Sequence, residues 1–431
     1  MIKKKVSFGM ITGGASLLIE SLSGLIILPL LLHYTNAQIA GLWLFYTSLN
    51  IIVNLSHSGL APIITRISAE KFSNGSNEEI ANLKGLVDRT YKFVIILILI
   101  ICFILFFSYI RWVINIDQGL YAKGIASWIL FCLGNLVQIY FTKNIYIING
   151  FGEVGWDKLL NAIISFLRLL GYFLVLLTGY DLIGLSFIYF ITTFLYAFGS
   201  IYLIKKYISS KISKLKPIFS NDEIFSLFKL GSKILLLNVV GILVLKKDIY
   251  IVERFIGLEI IPSFIALSRV QSMIYAISLL LQQMLFPFIT ANYSKGKFNK
   301  VYNLYLKSIF FSMLVAIILS SVFFILGDTL VPLWLGEGKY LGDSIFGLML
   351  LFGLINIHHN IHATAVISTG TNYFICPALI NAFLAIILSV LGMYYFGITG
   401  MILGNILATV LPSAYIVIYS FNFFFRKVNE K

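Results

Sequence analysis

Lys246, Lys247 and Asp248 stand side by side inside a run of apolar residues. A charge at bilayer depth is expensive, so such residues face a water-filled cavity or a partner and mark a pathway. Other apolar runs hold the cations Arg168, Lys233 and Arg269, with Lys143 near a run's end. The anions in such runs are Glu20 and Asp248, and Glu253 is expected at the interface. Lys233 and Lys247 are 14 residues apart, four turns less about 40°, so they share a helix face. An excess of cations suits an anionic cargo such as a phosphate, a diphosphate or an acidic sugar. Arg forks onto phosphate oxygens, whereas Lys acts as a point charge. Two plainer readings compete. Lys143 and Lys246 could lay their stems on apolar surface and reach the interface with their heads. Lys247 and Asp248 could neutralise each other. Glu20 and Asp248 could also bind and release a coupling proton or Na⁺, or Glu20 could pair with a nearby lysine.

Uncharged polar residues form stripes at helical spacing. Thr47, Asn50, Asn54 and His57 recur at i, i+3, i+7 and i+10, and Ser268, Gln271, Tyr275, Ser278 and Gln282 repeat the pattern with Arg269 at its edge. Ser16, Glu20 and Ser23 make a third stripe, Asn161, Ser165, Arg168 and Tyr172 a fourth, and Asn356, His359 and His362 a fifth. Lipid cannot satisfy such groups, so the stripes must face inward. Interhelical hydrogen bonding, worth about 0.6 kcal/mol per contact, explains any one of them. Stripes on several helices in both halves fit a hydrated cleft better. His358 and His362 have a metal-chelating spacing, but no carboxylate or cysteine accompanies them, so hydrogen bonding is expected. No phosphate-cradling GxxxxGK[ST] loop is present, and no catalytic constellation stands out. Gly150-Phe151-Gly152 reads as a turn. Cys102, Cys132 and Cys376 suggest neither a disulfide framework nor a metal site.

The elements that carry these stripes are membrane helices. Of 431 residues, 59% are hydrophobic and 12% charged, and mean hydropathy is +0.94; a soluble globule carries about a quarter charged residues. Apolar windows of about 20 residues, enough to cross about 30 Å of hydrocarbon, recur throughout. The expected spans are 8–32, 38–65, 91–110, 124–148, 158–178, 183–204, 229–253, 261–289, 303–326, 342–368, 375–394 and 398–421. The polar stretch 66–92 is expected to be a solvated amphipathic connector. The basic start, MIKKK, leads into the first span, not a cleaved signal. The net charge of +14 is distributed against a nucleic-acid role. Twenty Lys and Arg lie at the termini and in the loops of one side, against Arg111, Lys123, Arg254 and Lys339 on the other. That asymmetry puts both termini in the cytoplasm.

The halves read as copies. Thr47, Asn50 and Asn54 reappear 221 residues on as Ser268, Gln271 and Tyr275, and Asn135 and Gln138 as Asn356 and His359. Pro62-Ile63-Ile64-Thr65 reappears as Pro287-Phe288-Ile289-Thr290, Gly150 as Gly370, and Asn161 as Asn381. An even number of helices per half makes the repeat parallel. The expected architecture is all-α integral membrane: twelve transmembrane helices in two six-helix lobes, 1–204 and 229–431, joined by a cytoplasmic linker, 205–228. A central cleft between the lobes would take the substrate.

Gly41-Leu42-Trp43 followed by a polar helix ending Ser58-Gly59-Leu60-Ala61-Pro62-Ile63-Ile64-Thr65-Arg66 resembles the first-half signature of Wzx-type polysaccharide flippases. Lys247-Asp248-Ile249-Tyr250-Ile251-Val252-Glu253-Arg254-Phe255-Ile256-Gly257-Leu258-Glu259 resembles the matching signature of the second half, and Pro287 and Leu333-Trp334-Leu335-Gly336 fit as well. The likeness covers nearly the whole chain. Its motifs are soft, so they point to the MOP superfamily, which includes MATE drug exporters and lipid II flippases, more firmly than to a substrate. It implies a two-lobed bundle moving undecaprenyl-diphosphate-linked oligosaccharide, an O-antigen or capsule repeat unit, to the outer leaflet of a bacterial inner membrane. It implies alternating access driven by H⁺ or Na⁺, no cofactor, no enzymatic activity, and a setting beside a glycan polymerase and other assembly proteins. On that reading Arg168, Lys233, Lys247 and Arg269 meet the diphosphate. Asn50, Asn54, Gln138, Gln271 and Tyr275 meet sugar hydroxyls, and Glu20 and Asp248 serve coupling. The competing function is a MATE-like cation-coupled multidrug exporter, which would want an acidic or aromatic cavity. A membrane-embedded glycan polymerase would want a large outside loop, and 111–123 and 327–341 are short.

Overall fold

The computed structural model describes residues 2–74, 76–106, 118–208, 218, 220–367, 369 and 374–429, and all regular structure among them is helical. The helices are α1 (Ile2–Tyr34), α2 (Ala37–Ser58), α3 (Ala61–Asn74), α4 (Asn77–Leu105), α5 (Gln118–Gly150), α6 (Val154–Leu177), α7 (Leu182–Tyr207), α8 (Asn221–Phe255), α9 (Ile261–Ser294), α10 (Phe298–Leu335), α11 (Asp343–Ile367) and α12 (Ile375–Asn429). Among the described residues, nine helices are long and apolar enough to cross a membrane. Their outer faces carry large exposed apolar side chains such as Phe198, Phe310 and Leu411. Such a surface aggregates in water and is the one a lipid solvent requires.

Capping residues set the helix starts. Asn36 accepts from the amide of Ile39 at 2.8 Å to open α2. Ser76 accepts from Glu79 at 3.3 Å to open α4, whose first turn carries Glu78 and Glu79. These side chains satisfy amides that have no partner within the helix, and the carboxylates suit the positive end of its dipole. The stretch 66–92 is therefore helical almost throughout, as the end of α3 and the start of α4. Its Lys71–Glu79 pair, 2.8 Å and exposed on both sides, contributes little stability.

One element differs from the sequence-based spans. The expected single span 38–65 is two helices, broken at Gly59 and Leu60. A Cβ at Gly59 would fall 2.3 Å from the carbonyl oxygen of Gly231, so the bend is packed directly onto another backbone. The spans 375–394 and 398–421 are the two legs of the 55-residue stretch α12, which breaks at Gly397, at φ 62° and ψ −150°. Unbroken, α12 would be about 80 Å long, far beyond the hydrocarbon core. Gly397 sits in a region open only to glycine and folds α12 into a hairpin. The legs touch where a Cβ on Gly400 would lie 2.2 Å from the carbonyl of Gly392, and Ser389 donates to Asn405 Oδ1 at 2.9 Å.

The chain forms two compact units, Met1–Val239 and Val240–Lys431. In the first, α1 packs along α6, α5 along α7, and α2, α3 and α4 gather on α5. Its core is an aromatic knot. Tyr46 packs against Trp128 with centroids 5.1 Å apart, Phe131 stacks on Tyr189 at 4.7 Å, and the Tyr46 hydroxyl donates to Gly124 O at 2.9 Å. In the second unit, α9, α10 and α11 pack against one another and α11 against α12. Tyr305, Phe424, Val366 and Ile416 form a core cluster there. Of the expected linker 205–228, residues 209–217 and 219 lie outside the described residues; Ile218 donates its amide to Asn82 Oδ1 at 2.7 Å.

Candidate functional site

In the first unit the polar stripes of α2, α5, α6 and α7 converge on one phenol. The Tyr189 hydroxyl lies 2.9 Å from Asn135 Oδ1 and 3.4 Å from Gln138 Oε1, and it accepts from Asn50 Nδ2 at 3.4 Å. Asn54 Nδ2 donates to Asn50 Oδ1 at 3.1 Å. Arg168 lies across the same ring, its Cζ 4.5 Å from the Tyr189 centroid, and donates from Nε to Thr192 Oγ1 at 3.0 Å. Its Nη2 finds no hydrogen-bond partner among the described residues. One edge of the guanidinium is fixed by a ring and a hydroxyl, and the other holds a buried, unsatisfied nitrogen, which costs free energy until a rearrangement brings it an acceptor. Asn54 is exposed and Asn50 and Gln138 are half-buried, so their amides can also meet a ligand.

The second unit holds a different arrangement. Lys247 Nζ donates to Asp248 Oδ1 at 3.0 Å and also to Asn405 Oδ1. Asn405 Nδ2 closes the ring by donating to Asp248 Oδ2 at 2.8 Å. Thr409 donates to Asn405 O at 2.8 Å and, at 3.3 Å, to Asn381 Oδ1. Lys247 is only 7% exposed, and a buried ammonium survives only when paired and hydrogen-bonded. Its charge is thus neutralised inside the unit. Asp248 and Asn405 also line a cavity of about 160 Å³ with Ser268, Gln271, Tyr275 and Asn356. Gln271 is anchored there by donating to Met349 O at 2.9 Å.

The predicted residues therefore divide by unit. Asn50, Asn54, Gln138 and Arg168 meet around Tyr189 in the first; Lys247, Asp248, Gln271 and Tyr275 gather at the cavity of the second. Arg269 does not line that cavity, and its buried Nη1 has no partner among the described residues. Glu20 is exposed on α1 and accepts from Ser16 at 2.7 Å. The side chains of Lys233 and Lys246 lie outside the described residues. Glu253, expected at the interface, is buried. Lys143 does not snorkel: it is 3% exposed and pairs with Asp88 at 2.8 Å. The histidines hydrogen-bond, His358 to His362 at 3.2 Å, His362 to the Tyr305 hydroxyl at 2.6 Å, and His359 to Ser413 at 2.9 Å.

Two residues that organise these sites, Tyr189 and Asn405, were missed by the sequence reading. A signal for each was present. Ser186, Tyr189 and Thr193 make an i, i+3, i+7 stripe, and Asn405, Thr409 and Ser413 an i, i+4, i+8 stripe.

No protein-family model matches the sequence, and no curated protein matches it. Solved structures do. A multidrug resistance MATE family transporter of the MOP superfamily, in an inward-facing conformation, aligns over 100% of this chain and 99% of its own at 11% identity and a TM-score of 0.79. The lipid II flippase MurJ, in an inward closed conformation, aligns over 95% of this chain and 87% of its own at 16% identity and 0.73. The Vibrio cholerae MATE transporter VcmN aligns over 97% of each chain at 13% identity and 0.65. At such identities the likeness is one of fold. With nine helices fit to cross a bilayer among the described residues, it makes this chain an all-α, multi-pass protein with a membrane-transporter fold.

Proposed function

We propose that the protein is a flippase for polyprenyl-diphosphate-linked oligosaccharide, an O-antigen or capsule repeat unit, working by ion-coupled alternating access. The observation that carries the reading is Arg168, held over the Tyr189 ring with a buried guanidinium nitrogen unpartnered among the described residues, on a phenol whose hydroxyl meets the side-chain amides of Asn50, Asn135 and Gln138. Arg forks onto phosphate oxygens, and Asn and Gln offer the paired donors and acceptors that sugar hydroxyls need. Arg269, whose buried Nη1 has no partner among the described residues, and Lys233 remain head-group candidates on the sequence reading. Lys247 fits better as the partner of Asp248 than as a head-group contact. Binding a proton or Na⁺ at Asp248 would release Lys247 and Asn405 together, which makes this ring the coupling candidate, with Glu20 a second. Gln271 and Tyr275 would contact sugar in the second unit.

The proposed architecture is twelve spans in two six-helix lobes, 1–204 and 229–431, related by a parallel repeat. Asn135 and Asn356, 221 residues apart, support it. Each donates its amide to the carbonyl four residues back, of Phe131 at 2.9 Å and of Phe352 at 3.0 Å. By the loop charge asymmetry, both termini face the cytoplasm of a bacterial inner membrane.

The fold likeness to MATE transporters favours a second reading, a cation-coupled multidrug exporter. Vesicles holding the purified protein discriminate the two. A flippase moves a radiolabelled undecaprenyl-diphosphate sugar between leaflets and leaves a cationic dye untouched. Dye export without lipid movement would establish the exporter and overturn the flippase.

A further inference from the structure

A second charged cluster lies in the first unit, away from Tyr189. Lys84, Asp88 and Lys92 follow one another at i, i+4 and i+8 on α4 and share one of its faces. With Lys143 on α5 and Lys205 on α7, Lys84 and Asp88 enclose a cavity of about 510 Å³. Lys143 is buried there, 2.8 Å from Asp88 Oδ1 and 3.4 Å from the centre of the Tyr140 ring. Three ammonium groups thus face one carboxylate. With Lys143 and Asp88 matched to each other, Lys84 and Lys205 leave two formal positive charges on the wall.

The cavity continues into hydrocarbon-like surface. Tyr140 and Phe141 line it and also line an open depression of about 460 Å³ whose other walls are Lys92, Ile95, Ile96, Leu136 and Val137. On α4 the lining runs from Lys84 to Ile96, about 18 Å along the axis, and on α5 it runs back from Asn144 to Leu136, about 12 Å. The cationic part sits where α4 begins and α7 ends with Lys205 and Lys206. The apolar part lies one to three turns deeper. Apart from Lys92, charge and greasiness are therefore ordered along the helix axes as in a lipid: head at the helix ends, tail alongside the helices. Basic pockets between membrane helices at one face of a bilayer are suited to anionic head groups.

We propose that the first unit binds one anionic glycerophospholipid here, with its phosphate among Lys84, Lys143 and Lys205 and one acyl chain along α4 and α5. A free phosphate would leave the apolar depression unused, and a zwitterionic lipid would bring its own cation against the lysines. The inference needs only a membrane-embedded chain and stands whichever cargo is transported.

Native mass spectrometry of the full-length protein released from micelles tests it, with phosphatidylglycerol, phosphatidylethanolamine, undecaprenyl diphosphate and inorganic phosphate as probes. One phosphatidylglycerol per chain should be retained, at least tenfold more tightly than phosphatidylethanolamine. The double variant Lys84→Gln/Lys205→Gln, which leaves the Lys143–Asp88 pair intact, should lose that preference. Ile96→Trp, which fills the depression, should weaken phosphatidylglycerol retention with the lysines untouched. Lys205→Arg should keep it, and an unchanged Tm would show the variants folded. Equal retention of both phospholipids, or retention unaffected by the double variant, overturns the proposal. Inorganic phosphate binding as tightly as phosphatidylglycerol would also overturn it. Undecaprenyl diphosphate retained more tightly than phosphatidylglycerol, and lost in the Lys84→Gln/Lys205→Gln variant, would overturn the phospholipid assignment and make the site a docking point for a polyprenyl carrier.

Discussion

Arg168 combines an edge fixed by Tyr189 and Thr192 with a buried nitrogen that has no partner among the described residues, and that asymmetry makes it a sharper test than the other cations. A hydrogen bond to a charged acceptor is worth about 1.5–3 kcal/mol, so Arg168→Gln should lower flipping of the lipid-linked sugar about tenfold to a hundredfold at unchanged membrane abundance. Arg168→Lys, which keeps the charge and loses the fork, should fall between. Surface glycan staining in a flippase-deficient host reads the difference. The Lys247–Asp248–Asn405 ring predicts a different pattern. Removing one member of a buried ion pair costs about 3–5 kcal/mol, whereas removing both can be nearly neutral. Asp248→Asn alone should therefore lower the Tm clearly, and Lys247→Gln/Asp248→Asn should recover most of it. Neither variant should respond to an imposed ion gradient; restored Tm together with retained coupling would exclude Asp248 from that role. The stripes that carry Asn50 and Asn54 on α2 and Arg168 on α6 were legible because polar residues at helical spacing must leave lipid. Which groups they meet was not: Asn50 reaches Tyr189 across 139 residues of sequence and Asp248 reaches Asn405 across 157. Only packing sets such pairs. Lys247 shows the same limit from the other side, since its neighbour in sequence is also the partner that cancels its charge.

At the scale of elements, the positions of the apolar runs were legible almost throughout, because about 20 apolar residues in a row have few stable fates other than a membrane helix. The break between α2 and α3 was harder. Ser58-Gly59-Leu60-Ala61-Pro62 carried a signal for the bend between α2 and α3, since glycine and an early helical proline punctuate helices, but a continuous apolar pattern masked it. Gly397 is the break with the clearest physical cause. Gly397→Ala should cost about 1–3 kcal/mol through its backbone conformation. Gly400→Leu should cost at least as much by forcing apart the legs of the α12 hairpin. Both should lower Tm and raise proteolysis within α12; wild-type behaviour from Gly400→Leu would show that the legs do not meet there.

At the scale of the whole molecule, a membrane-transporter fold follows from the helices and from solved structures aligned along nearly the whole chain. Cargo does not follow from fold, because the same scaffold serves a drug exporter and a lipid flippase among those neighbours. Cargo has to be argued from side chains, and the cationic, amide-rich surroundings of Tyr189 favour a phosphorylated sugar over a cationic drug. The direct measurement is leaflet exchange in vesicles containing only the purified protein, radiolabelled undecaprenyl-diphosphate disaccharide and an imposed H⁺ or Na⁺ gradient. The prediction is gradient-stimulated transfer to the opposite leaflet, reduced at least tenfold by Arg168→Gln, with no export of a cationic dye. Transfer unaffected by Arg168→Gln, or dye export with no movement of the lipid-linked sugar, would contradict it.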